Sequence, residues 1–108
     1  MSYAIVWEFL VPQDHVAAFE AAYGPEGDWA RLFAQAPGFL EVQLLRSDEQ
    51  AGRYLTVDRW QSGKAFDSFK RQFAEAYQAL DRQLEGLASS EVPLGSFDEM
   101  PRREHEGR

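Results

Sequence analysis

The segment "YAIVWEFLV", Tyr3 to Val11, constrains the fold more than any other stretch because it is apolar on both parities. Tyr3, Ile5, Trp7 and Phe9 fall on one side of a strand and Ala4, Val6 and Leu10 on the other, with Glu8 as the lone charge. A strand of that kind has to be covered on both faces. The chain has 108 residues, the size of one domain, so its own helices can cover one face only. The second cover is expected from another copy of the chain, which makes a homodimer the expected assembly.

The rest of the chain supplies those helices and the remaining strands. Pro12 opens a helix whose buried stripe is Val16, Phe19 and Tyr23, and "GPEG" ends it. Asp28 is the expected N-cap of a short helix, "WARLFAQA", with Trp29, Leu32, Phe33 and Ala36 turned inward. Pro37 and Gly38 stop it and launch a strand from Phe39 to Ser47. After the polar turn "SDEQAG", a strand running to Trp60 leads through Ser62, a natural N-cap, into a helix expected to reach about Ala88 with a break near Gln72. Tyr77, Leu80, Leu84 and Leu87 form one stripe of its second half. Glu91 to Phe97 reads as a last short strand, and Pro93 assigns it to a sheet edge or a bulge.

This order is that of the split βαβ unit: an α+β, ferredoxin-like antiparallel sheet with helices on one face. Residues 1–97 form the expected domain and residues 98–108 a flexible C-terminal tail without periodicity. Pairing Arg46 with Arg53 would set Val42 opposite Val57, Leu44 opposite Leu55, Gln43 opposite Thr56 and Glu41 opposite Asp58. That register separates an apolar face from a mixed one, yet it also sets two acids side by side.

Composition narrows the functions open to such a domain. The net charge is −7, and the last eleven residues, with four acids and three arginines, contribute only one negative charge to it, so the folded body is acidic and nucleic acid is not an expected partner. Without cysteine there is neither a disulfide nor a thiolate nucleophile or metal ligand. The N-terminus has no basic n-region and meets Pro12 too soon for a signal peptide, and no apolar run is long enough to span a membrane. A cytoplasmic protein with no membrane partner is the expectation. Of the two histidines, His15 starts the first helix and His105 lies in the tail, so neither builds a metal pair or a triad. No glycine-rich loop cradles a phosphate, and no cofactor or metal is indicated.

What remains is a large aromatic load, with eight Phe, four Tyr and three Trp, and a few strand carboxylates. Tyr54, Thr56, Asp58 and Trp60 share one parity of their strand and feed the helix bearing Phe66, Phe69, Phe73 and Tyr77. As plain core these residues need no function. As polar groups among aromatics they meet the requirements of a small-molecule site. Glu8 and Glu91 read first as solvated edge residues; buried, either would have a raised pKa and become a candidate base.

The first strand, "FEAAYGPEGDWARLF", "PGF", "YLTVDRWQSGKAFDSF" and "FAEAYQALD" resemble the antibiotic biosynthesis monooxygenase family of dimeric α+β barrels over roughly residues 3–97. The resemblance implies a pocket between helices and sheet in each protomer, with Trp60, Phe66, Phe69, Phe73 and Tyr77 similar to its wall. It implies several chemistries, among them cofactor-free oxygenation of polyphenols and quinols, haem degradation and isomerisation. The haem-degrading branch requires a strand asparagine, a helix tryptophan and a histidine, and the anthrone-oxidising branch an asparagine. This chain contains no asparagine. On the resemblance, the expected activity is cofactor-independent oxygenation of a small aromatic or quinol-type molecule. Asp58 or Glu8 would remove a proton while Trp60 and Tyr77 hold the ring, with Tyr54, Thr56, Phe66, Phe69 and Phe73 as further binding residues. The alternatives are a non-catalytic dimeric module that binds a small ligand or a partner, and an isomerase or lyase on the same barrel.

Overall fold

A computed structural model describes residues 2–101. The expected tail therefore lies mostly outside the described residues, His105 with it. Four strands, β1 (Tyr3–Leu10), β2 (Phe39–Arg46), β3 (Arg53–Trp60) and β4 (Ser90–Asp98), form one antiparallel sheet in the order β2-β3-β1-β4. Helices α1 (Val16–Tyr23), α2 (Asp28–Phe33), α3 (Gly63–Gln72) and α4 (Ala74–Gln83) pack on one face of it. This is the α+β, ferredoxin-like arrangement that the order of elements predicts.

Local chemistry accounts for most boundaries. Pro12 begins a 3-10 turn, Gln13–His15, before α1. The Ser62 hydroxyl accepts from the Ala65 amide at 3.1 Å and caps α3 as expected. The predicted break falls at Phe73, which leaves helical geometry between α3 and α4. Three expectations shift slightly. Gly27 rather than Asp28 is the N-cap of α2, α4 ends at Gln83 short of Ala88, and β4 extends to Asp98, followed by a Glu99 amide bond to the Ser2 carbonyl at 2.8 Å.

The register of the β2–β3 hairpin differs by one residue from the expected one. Ser47 closes the loop against Arg53, its amide 2.9 Å from the Arg53 carbonyl, while its hydroxyl accepts from the Glu49 and Gln50 amides. Gly52 turns the chain at φ +81°. Arg46 therefore pairs with Tyr54, Leu44 with Thr56 and Val42 with Asp58, and the offset is absorbed by an irregularity between Phe39 and Glu41 that leaves Leu40 46 % exposed. A slip of one residue exchanges the two faces of a strand. Glu41 now stands beside Arg59 instead of Asp58, which removes the unfavourable pairing of two acids.

The helix-side face carries Ile5, Trp7 and Phe9 of β1, Val42 and Leu44 of β2, and Tyr54, Thr56, Asp58 and Trp60 of β3. Phe19, Trp60 and Phe69 are 0 % exposed and anchor the core between this face and the helices. The opposite face presents Val6, Leu10, Leu45, Leu55, Val57, Val92 and Phe97, of which Leu45 (48 %), Val92 (42 %) and Phe97 (52 %) are exposed. No helix of the described residues is long and apolar enough to cross a membrane.

Candidate active site

Between the sheet and the helices lies an open cleft with about 490 Å³ of atom-free space, its mouth included. Its floor is Trp7 and Phe9 of β1 with Thr56 and Asp58 of β3. These four meet because Trp7 is the cross-strand partner of Thr56, while Asp58 and Phe9 share their face two residues along. Tyr23 of α1 with Trp29 and Phe33 of α2 form one wall, and Tyr77 and Asp81 of α4 with Glu91 of β4 the other. The aromatic rings brace one another, with Tyr23 at 6.2 Å and Tyr77 at 5.1 Å from the Trp29 ring, centroid to centroid.

Asp58 has no hydrogen-bond or ion-pair partner among the described residues. Burial pushes its carboxyl up to about 7. A carboxylate there exchanges a proton near neutrality, the condition for a general base. Burial also raises Glu91, helped by the charges of Asp81 and Glu85. The Tyr77 phenol is raised by burial first and then by Asp81, Asp58 and Glu91. Burial raises Tyr23 to about 12; the neighbouring Trp29 indole opposes that shift, although its Nε1 completes no hydrogen bond of ordinary geometry.

The structure brings together four of the residues singled out in the sequence, Thr56, Asp58, Tyr77 and Glu91. It places the others elsewhere. Trp60 and Phe69 are packed solid at 0 % exposure, and Phe66 and Phe73 lie against the same core outside the cleft. Tyr54 is 2 % exposed and donates its hydroxyl hydrogen bond to Glu20. Glu8 belongs to the opposite face, where its carboxylate is 2.5 Å from Arg53 Nε, so it cannot act as a base in the cleft. The α3 aromatics fill the core beneath Trp60, and the open space lies further along, under α4 and α2. Trp7, Tyr23, Trp29, Phe33 and Asp81 were not singled out for the site. Asp81 carried a signal in its i+4 spacing from Tyr77, but Trp7 became legible only with the register. No group of three or more His, Cys, Asp or Glu able to hold a metal occurs among the described residues.

Fold and cleft together define an α+β domain of the ferredoxin-like type with an aromatic-lined cleft between helices and sheet. Residues 2–80 match the family described as antibiotic biosynthesis monooxygenase, and the chain belongs to that family. Among solved structures, it is similar to a variant of SnoaB, a cofactor-independent oxygenase from Streptomyces nogalater, at 24 % identity with a TM-score of 0.75, over 94 % of this chain and 95 % of that one. It is also similar to a variant of MhuD with two manganese protoporphyrin IX molecules bound per active site, at 24 % identity and a TM-score of 0.68, over 94 % and 98 % of the two chains. At such identities the likeness speaks for the fold alone. No curated protein matches the chain by sequence.

Proposed function

We propose that this chain is a cofactor-independent monooxygenase of a small aromatic or quinol-type substrate, bound in the cleft with Asp58 as the base. The observation that carries the reading is the unpaired Asp58 carboxyl, raised to about 7 among aromatic rings. Asp58 takes a proton from the substrate, and the resulting electron-rich anion gives an electron to O₂. Recombination forms a C–O bond, the peroxide takes up the proton, and loss of water leaves a carbonyl. One ring C–H position becomes C=O, the substrate supplies all four electrons, and one oxygen atom leaves as water. Trp7, Trp29 and Tyr77 hold the ring, and Thr56 offers a hydroxyl beside Asp58. Trp60, Tyr54, Phe66, Phe69 and Phe73 support the floor and walls from behind. Haem is a poor match for the cleft, because its described lining offers no histidine and carries three acids, Asp58, Asp81 and Glu91, which repel propionates.

The active form in this reading is a homodimer joined through the apolar face of the sheet, where Leu45, Val92 and Phe97 are exposed. Oxygen uptake with a panel of quinols and anthrones tests the activity. Consumption that is lost in Asp58→Asn and retained in Glu8→Gln is the expected result. Equal loss in both variants, or no uptake across the panel, would overturn it. Binding without uptake would favour the non-catalytic module.

A further inference from the structure

The cleft combines aromatic rings with acids, and no basic residue stands among its described lining. Asp58 lies on the floor and Asp81 and Glu91 on the wall formed with Tyr77, and no Lys, Arg or His among the described residues lines the space. Burial is the main reason that the Tyr23 and Tyr77 phenols are raised, and the charges of Asp81 and Glu91 add to it at both. Asp58 is the second feature: a carboxyl on the cleft floor for which the described residues supply no hydrogen-bond or ion-pair partner. One of the lining rings already attracts a cation, since Lys70 Nζ stands 5.1 Å from the Tyr77 centroid.

We infer that the cleft selects a positively charged aromatic, one bearing an amine or quaternary ammonium group that Asp81, Glu91 and the Trp29 and Tyr77 rings hold while its ring lies over Asp58. This inference rests on the cleft being the substrate site. It also resolves an electrostatic difficulty of the oxygenation. A phenolate formed from a neutral substrate would develop beside two further carboxylates, whereas one formed from a cation is a zwitterion whose own charge faces them. Neutral substrates lack this compensation, and anionic ones are repelled at the mouth.

The test uses three phenols of matched size: para-hydroxyphenyltrimethylammonium, para-tert-butylphenol and para-hydroxybenzenesulfonate. Their dissociation constants for the full chain are measured by calorimetry at about pH 8, at low and at high salt. The cation should bind about tenfold or more tightly than its neutral isostere, lose affinity in salt where the isostere does not, and the sulfonate should not bind. In the double variant Asp81→Asn, Glu91→Gln the preference should shrink to about threefold or less, with the neutral phenol unaffected. The wild-type salt response gives an answer even where the double variant misfolds. Equal or tighter binding of the neutral phenol, or a preference that survives the double substitution, overturns the inference and leaves the oxygenation reading standing. No binding of any of the three overturns both.

Discussion

Asp58 lies directly across the hairpin from Val42, with Ile5 as its partner on the other side. Its carboxyl is thus flanked by aliphatic side chains on both neighbouring strands and faces the cleft, which explains both the absence of a partner and the raised pKa.

That placement makes Asp58 a liability for stability. The folded protein holds the Asp58 proton more tightly than the unfolded chain, in which the group titrates near 3.8. Its contribution is most favourable below about pH 4, falls as the pH rises toward about 7, and is fully lost above it. Asp58→Asn removes the charge at nearly constant volume and should raise the unfolding free energy by about 1–3 kcal/mol at about pH 8 and by almost nothing at about pH 4. Urea denaturation at the two pH values measures this. An equal gain at both would show that the carboxyl is not desolvated.

Tyr54 illustrates a polar residue beneath the site instead of in it. Its hydroxyl donates to Glu20, whose carboxylate is also 3.7 Å from Arg46. Tyr54→Phe should cost about 1–2 kcal/mol in chemical denaturation. Cleft affinity for an aromatic ligand should stay unchanged in the same variant, and a clear loss would put Tyr54 into contact with the ligand.

Gly38 joins α2 to β2 at φ +91°, and a Cβ there would stand 2.6 Å from the Ala65 Cβ. Both the backbone and the close approach of α3 therefore require glycine. Gly38→Ala should destabilise by about 1–3 kcal/mol, visible as a lower denaturation midpoint with an unchanged slope. A neutral outcome would mean that α3 can withdraw without loss of packing.

Phe97 is the most exposed of the large apolar groups in the sheet, and it stands across from Ala4. If two copies meet on this face, Phe97→Asp should convert the dimer to monomer at micromolar concentration in sedimentation velocity, with the far-ultraviolet spectrum preserved. A wild-type chain that is already monomeric there would remove the dimer from the proposal.

The sequence by itself determined the element order, the Ser62 cap and the break near Phe73. Each is local: a cap, a breaker or a periodicity is complete within a few residues. Alternation also placed Tyr54, Thr56, Asp58 and Trp60 on one side of a strand. Only the tertiary structure decided which of them meets open space, because Trp60 and Tyr54 end in packed core while Thr56 and Asp58 reach the cleft. The register was likewise beyond local reading, since it depends on the Ser47–Gly52 turn and on the irregularity at Leu40 acting together. Asp81, Glu91 and Trp7 come from α4, β4 and β1, three segments distant in sequence, and their proximity follows from how the helices settle on the sheet. Period and composition assign a residue to a face, but a pocket exists only where packing between elements leaves that face unfilled.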